Sequence, residues 1–281
     1  MHTVKSALDD AVQRLISVSE SPLLDAEILL CLVLEKDRAH LRAWPEKKLL
    51  PEQNSHFESV LQKRVSGMPI AYITGNREFW SRDFEVGRDV LIPRPDTELL
   101  IELALKLIPE RQPYRLIDLG TGSGIIGITL AAERPDSEVI ATDFSTNALT
   151  IARRNAQRHN VRNIQFLQSN WFGTISDSAL FNLVVSNPPY IADNDPHLTE
   201  GDVRFEPMSA LIADNDGLSD IARIATAARR HLLPQGHLLI EHGYNQQDQV
   251  QAIFSQLKYR NIATYHDLSG QPRVTYGQWR S

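Results

Sequence analysis

The sequence predicts an α/β protein: a doubly wound, mostly parallel sheet with an antiparallel edge strand, preceded by a small all-α N-terminal domain (residues 1–75) and a β-hairpin linker (residues 76–95). Three observations carry this expectation. From Tyr114 onward, short apolar runs alternate with stretches of helical period, the pattern of βαβ units whose sheet is covered on both faces. A glycine-rich turn, Gly120–Gly124, joins one such strand to the next helix. Residues 1–75 hold helical periodicities and no strand pattern.

The composition agrees. A chain of 281 residues suits one large domain or two unequal ones. Apolar content of 42% and charged content of 23% exclude a disordered or fibrous chain. A net charge of −6 argues against a broad phosphate-binding surface. The single cysteine, Cys31, excludes an intrachain disulfide and an all-cysteine metal cluster. No run approaches a membrane span, and the polar, acidic N-terminus is unlike a signal peptide. A cytoplasmic, soluble monomer with no membrane partner is expected.

In chain order, Thr3–Ser6 opens an amphipathic helix expected to bury Leu8, Val12, Leu15 and Ile16. Ser21 is placed to cap a second helix, with Pro22 at its first position. Asp37 caps a short helix that stops at Trp44, before Pro45. Pro51 starts a fourth, closed by Gly67 in a left-handed conformation. Such a bundle either recognises a partner or shields one end of the next domain. Glu78–Pro93 alternates apolar and polar residues around Gly87, as a hairpin would. Asp96 or Thr97 then caps a helix, opening a domain over residues 96–281. Its strands are expected at 115–120, 138–143, 163–168, 181–186 and 237–242, with an antiparallel pair, Asn261–Leu268 and Arg273–Trp279, at one edge.

The glycine loop admits two cofactors. Gly122-Ser123-Gly124-Ile125-Ile126-Gly127 satisfies the dinucleotide pattern G-x-G-x-x-G. Asp118, at the strand end, would repel a pyrophosphate. S-adenosylmethionine carries no phosphate, and tolerates such a carboxylate or uses it to hold its amino acid end. Asp143 ends the next strand, where a carboxylate can accept both ribose hydroxyls. Its other reading is a helix cap, a role Ser145 also fits. The third strand ends at Gln168–Phe172, where adenine is expected; Trp171 either walls off the base or belongs to the core.

The fourth strand stops at Asn187-Pro188-Pro189-Tyr190. Each proline holds the residue before it extended, so Asn187 and Pro188 become rigid acceptors through a side-chain and a backbone oxygen. An –NH₂ group has two N–H bonds to give such a pair, and Tyr190 offers an aromatic surface to the flat group carrying it. A planar –NH₂ is a poor nucleophile; holding both N–H bonds turns its free face to a sulfonium methyl and stabilises developing positive charge. The sulfonium leaves readily, so no metal and no nucleophilic side chain is required. A plain proline-rich turn is the alternative; its position after a glycine loop and an acidic strand end speaks against it.

These motifs resemble class I S-adenosylmethionine-dependent methyltransferases of Rossmann-like fold, in which [Asn/Asp]-Pro-Pro-Tyr marks enzymes that methylate amino nitrogens. The resemblance is most extensive to the HemK/PrmC family of release factor glutamine (N5) methyltransferases. Pro69–Gly75, Glu78-Phe79-Trp80 and Ile92–Glu98 look like its interdomain signature. Glu206-Pro207, Ala210-Leu211 and Asp216-Gly217-Leu218 resemble the segment that follows Asn-Pro-Pro-Tyr, so the likeness covers essentially the whole chain.

The resemblance implies that Gly120, Thr121, Gly122, Ser123 and Gly124 cradle the methionine part of the cofactor. Asp143 would hold the ribose, Trp171 would flank the adenine, and Asn187 would touch both cofactor and substrate. Asn187, Pro188, Pro189 and Tyr190 would bind the glutamine of a Gly-Gly-Gln loop in class I peptide chain release factors, with Asn187, Pro188 and Tyr190 catalytic. Asn170 stands where such enzymes often carry aspartate. Arg94, Thr97 and Glu98 either line the site mouth or merely start a helix. The competing expectation, an amino-methyltransferase acting on adenine N6 or guanine N2 of a nucleic acid, needs phosphate contacts, for which Arg153, Arg154 and Arg158 share one helix. The favoured reading expects no direct nucleic-acid binding.

Overall fold

The computed structural model describes residues 2–199 and 201–280; the first and last residues of the expected domain ranges lie outside them. The chain divides into two compact units. One takes in residues up to Asn76 together with His197–Phe205, a segment drawn from within the range 96–281; the other holds Arg77–Pro196 and Glu206 onward, including most of the hairpin.

The helical unit contains α1 (Val4–Leu15), α2 (Pro22–Leu34), α3 (Arg38–Ala43), α4 (Pro51–Val65) and α5 (Ile70–Thr74). Thr3 and Ser6 form a reciprocal capping box that starts α1. The buried stripe of α1 is Val4, Ala7, Ala11 and Leu15, with Leu8 and Val12 partly buried. Ile16 corrects the expected face: it falls at the C-cap, beyond the stripe, and is exposed. Ser21 precedes α2 without a side-chain capping bond; the Ser19 hydroxyl instead takes the Ser21 N–H and donates to Asp25. Asp25 is buried and paired with Arg64 at 2.7 Å. Arg64 also donates to the Met68 carbonyl and to Asp202, tying the returning segment into this unit. Gly67 follows the end of α4 at φ +94°, the left-handed turn its sequence position predicts.

In the larger unit, β1 (Asn76–Phe79) and β2 (Arg82–Glu85) form the hairpin. Its turn is Trp80–Ser81, at φ +53° and +55°, rather than the region of Gly87. A two-residue hairpin turn of type I′ needs positive φ at both positions. Here no Asn or Gly supplies it; instead Glu78, on β1 itself, accepts the Ser81 N–H and Glu98, from outside the hairpin, accepts the Trp80 N–H.

After α6 (Thr97–Leu107), a seven-stranded sheet runs in the order β5-β4-β3-β6-β7-β9-β8. β3 (Arg115–Leu119), β4 (Glu138–Asp143), β5 (Ile164–Gln168), β6 (Phe181–Ser186) and β7 (Leu232–Glu241) are parallel. β8 (Arg260–His266) and β9 (Pro272–Gln278) are the antiparallel pair at one edge, β9 lying against β7. The remaining helices are α7 (Ile125–Glu133), α8 (Thr146–Arg158), the single turn α9 (Asp214–Gly217), α10 (Ser219–His231) and α11 (Gln247–Gln256). Alternation along β3 feeds two cores: Leu116 packs with α6 and α7 on one face, Ile117 and Leu119 with α10 and α11 on the other. The strand order runs outward in both directions from β3 and β6, so their carboxyl ends flank a crevice at the switch point.

Candidate active site

A cavity of about 340 Å³ opens at that switch point, within the range of small-molecule sites. The glycine loop forms one wall through Gly120, Thr121, Gly122 and Ser123. The N–H groups of Gly120 and Thr121 donate to the Thr142 carbonyl, and that of Gly122 to Asp143 at 2.8 Å. Gly120 needs to be glycine: φ is +72°, and a Cβ would come within 3.1 Å of the Trp171 ring. Gly124, at φ +90°, is not part of the cavity wall. It starts α7, and a Cβ there would sit 2.6 Å from Ile128 Cδ1.

Asp118 does not face the cavity either. It is buried beneath the loop, where one oxygen accepts from the Thr121 hydroxyl at 2.6 Å and from the Gly127 N–H at 2.9 Å. Its other oxygen has no hydrogen-bond partner, and burial pushes its pKa up to about 7. Holding the cofactor's amino acid end is therefore not its place; it braces the loop from below.

Asp143 does line the cavity. Its oxygens accept the N–H groups of Gly122 and Ser145, both at 2.8 Å, while burial raises its pKa against those bonds. Ser145 fills the capping role through its hydroxyl, which accepts from Ala148. The Phe144 N–H is a third backbone donor to this carboxylate, which leaves part of its accepting capacity for a ligand hydroxyl. The next residue, Phe144, lines the same cavity and is 72% exposed, a flat apolar surface that sequence reasoning passed over. Its only sequence signal is an aromatic directly after an acidic strand end.

Trp171 also lines the cavity, at φ +53°, with its indole N–H donated to Asp220 at 3.1 Å. Asp220 and Arg223, from α10, complete this end beside the exposed Asn170. Neither carried a motif that would mark it in the sequence.

At the end of β6, Asn187 and Pro189 face the cavity, whereas Pro188 and Tyr190 stand outside its wall. Asn187 Nδ2 donates to Thr97 Oγ1 at 3.2 Å, which commits the amide nitrogen to a neighbour that also lines the cavity. The Tyr190 carbonyl is held by Gln246 at 3.0 Å, and Gly217 packs so closely that a Cβ would lie 2.0 Å from that oxygen. Burial pushes the Tyr190 hydroxyl's pKa well up, so it stays neutral.

Arg94, Thr97 and Glu98 divide. Arg94 lines the cavity and pairs with buried Glu206, which also accepts the Ile92 N–H at 3.1 Å, so two segments distant in sequence meet in one ion pair. Thr97 lines it too, and it serves Asn187 rather than capping α6. Asp96 is no side-chain cap either; it pairs with Arg273 at 3.1 Å. Glu98 holds the hairpin turn. Arg154 is paired with Glu85 at 2.6 Å, Arg153 donates to the Phe166 carbonyl, and Arg158 lies 4.0 Å from Asp83. Among the described residues, no group of three side chains is arranged to hold a metal, and no helix is long and apolar enough to cross a membrane.

Comparison with known proteins agrees with this geometry. Residues 6–75 match the PrmC N-terminal domain and residues 96–202 the methyltransferase small domain. A methyltransferase structure from Pyrococcus furiosus covers 81% of this chain and 100% of its own, with a TM-score of 0.55 at 16% identity. A T. thermophilus 16S rRNA methyltransferase, solved with AdoMet and guanosine, covers 73% of this chain and 50% of its own, with a TM-score of 0.53 at 17% identity. These likenesses carry the fold alone. Release factor glutamine methyltransferase from Aliivibrio fischeri is 46% identical over 99% of this chain and 98% of its own. That of Vibrio cholerae is 48% identical over 99% and 98%, and that of Escherichia coli K12 is 46% identical over 97% of each chain. With nearly half of its residues identical across the full length of such relatives, the chain belongs to the release factor glutamine methyltransferase family.

Proposed function

We propose that the chain transfers a methyl group from S-adenosylmethionine to the side-chain amide nitrogen (N5) of the glutamine in the Gly-Gly-Gln motif of class I release factors, leaving S-adenosylhomocysteine. The observation that carries this is Asn187: it lines the cavity together with the glycine loop, and its amide nitrogen is committed to Thr97.

The cavity residues fit the cofactor. Asp143 offers a carboxylate acceptor to the ribose; Phe144 and Trp171 offer flat surfaces to an adenine; and the loop at Gly120–Ser123 borders the space left for the methionine part. The cofactor supplies an electrophilic methyl on a sulfonium whose departure needs no metal. The chain's own groups do the rest. In this proposal Asn187 Oδ1 accepts one N–H bond of the substrate amide from the cavity wall; the other is assigned to the Pro188 carbonyl and the flat approach to Tyr190, although both residues stand behind the wall that Asn187 and Pro189 form. Orientation of this kind is worth several of the ~7–11 kcal/mol open to well-positioned reactants. The acceptors also favour the positive charge that grows on nitrogen as the methyl arrives.

The helical unit is assigned to release factor recognition. It presents large exposed apolar side chains, Ile16, Leu23, Trp44 and Leu50, and it carries none of the cavity residues. A translation factor as substrate is consistent with work in the cytoplasm, and the enzyme is proposed as a monomer that needs no direct nucleic-acid contact. A nucleic-acid base is the weaker reading, since the arginines of α8 are engaged with neighbouring acidic and carbonyl groups and the family is that of protein methyltransferases. The test is incubation of the full chain with isotope-labelled methyl donor and release factor, with tRNA and DNA offered in parallel. Label confined to the Gly-Gly-Gln glutamine is expected; label on a base, with none on the factor, overturns the proposal.

A further inference from the structure

We infer that Asp220 is a positioning residue for the cofactor: its carboxylate pins the Trp171 indole, so that the ring stands as a fixed wall beside the adenine. This rests on the reading above, in which the cavity takes S-adenosylmethionine. Trp171 Nε1 donates to Asp220 Oδ1 at 3.1 Å, and both residues line the cavity. The far edge of the ring meets the glycine loop: a Cβ on Gly120 would lie 3.1 Å from Trp171 Cζ3 and 3.5 Å from Cη2. The indole thus spans from α10 to the loop after β3. A hydrogen bond anchors it at one end, and packing against bare backbone anchors it at the other. Its own backbone lies in the left-handed region, at φ +53°, where a bulky residue stays only if its surroundings impose it.

The acceptor stands on a fixed element. Asp220 is the second residue of α10, where the helix start favours a carboxylate. Just before it, Gln246 Nε2 donates to the Asp216 carbonyl at 2.9 Å and to the Tyr190 carbonyl at 3.0 Å, which ties the approach to α10 to the Asn-Pro-Pro-Tyr segment. The helix start alone would account for an acidic residue here, but not for its bond to the indole. Trp171 is only partly buried, so water could satisfy its N–H as well. What water cannot do is fix the ring plane; a side chain on a held helix can. The bond asks for an acceptor and not for a charge, so asparagine can replace aspartate and alanine cannot.

Five full-length proteins test this: wild type, Asp220→Ala, Asp220→Asn, Trp171→Phe, and Trp171→Phe combined with Asp220→Ala. Affinity for S-adenosylhomocysteine is read by calorimetry, and folding by the thermal midpoint. Asp220→Ala should weaken binding ~5- to 20-fold with the midpoint little changed, less than the full value of a bond to a charged group because the site is partly open to water. Asp220→Asn should bind within ~2-fold of wild type. Trp171→Phe keeps a flat ring without the N–H. Adding Asp220→Ala to it should weaken binding by less than ~2-fold more, because the bond is already gone. Three binding results would overturn the inference. They are Asp220→Ala as tight as wild type, Asp220→Asn as weak as alanine, or an equal effect of Asp220→Ala in the tryptophan and phenylalanine backgrounds, which would mean that Asp220 touches the cofactor itself. A midpoint that falls in step with affinity would place the residue in the fold and overturn it too. A wild-type chain without affinity for S-adenosylhomocysteine would overturn the cofactor reading, and the inference with it; failure of the variants alone leaves that reading standing.

Discussion

Two residues at strand ends divide the work of the cavity between binding and chemistry. Asp143 is already satisfied by the N–H groups of Gly122 and Ser145, so it is a bolt between the glycine loop and the head of α8 as well as a ligand group. Asp143→Ala removes both functions. It should weaken S-adenosylhomocysteine binding by about 1.5–3 kcal/mol, the value of hydrogen bonds to a charged group, as read by calorimetry on the folded variant. Unchanged affinity would remove Asp143 from the cofactor site. Phe144 shows how a side chain of this kind escapes notice: an exposed phenylalanine reads as ordinary surface until the sheet order brings it to a cavity wall.

At the scale of elements, the loop between β3 and α7 rests on a buried carboxylate, and this makes a pH prediction. Asp118 has its pKa raised from the ordinary carboxylate range to about 7 by burial, and Glu241 likewise to about 7. Between about pH 4 and 7 the unfolded chain has released these protons and the folded chain still holds them. The native state then binds more protons, so stability falls as pH rises through that window. Urea unfolding between pH 5 and 8 should show this fall, and Asp118→Asn should show a shallower one. Parallel curves for the two proteins would contradict the assignment. The same elements show what was legible in the sequence. The glycine loop, the acidic end of β4 and Asn-Pro-Pro-Tyr are local patterns whose backbone demands are written in adjacent residues. The Trp80–Ser81 turn was not legible, because it lacks the usual turn residues and is held in part by Glu98, eighteen positions on. Asp220 and Arg223 were not, because only the placement of α10, between β6 and β7, carries them to the same cavity.

For the whole molecule, a methyltransferase unit with its cavity complete is joined to a helical unit that adds none of that cavity's residues. If the helical unit recognises the release factor, exposed apolar side chains there should govern KM and not turnover. The double variant Trp44→Ala, Leu50→Ala should raise KM for full-length release factor while leaving kcat and cofactor affinity unchanged; an unchanged KM would remove these residues from the docking face. The central claim, that Asn187 accepts the N–H bonds of a glutamine amide, is tested most directly by single-turnover methylation with site mapping, comparing wild type with Asn187→Ala on release factor carrying Gly-Gly-Gln or Gly-Gly-Glu. A carboxylate has no N–H to give and would face two acceptor oxygens, so the glutamate substrate should be discriminated against by ~10⁴–10⁵. Asn187→Ala should slow transfer to glutamine by ~10²–10³ while cofactor affinity changes little. Label on another residue, or equal rates for wild type and Asn187→Ala with cofactor bound, would contradict it.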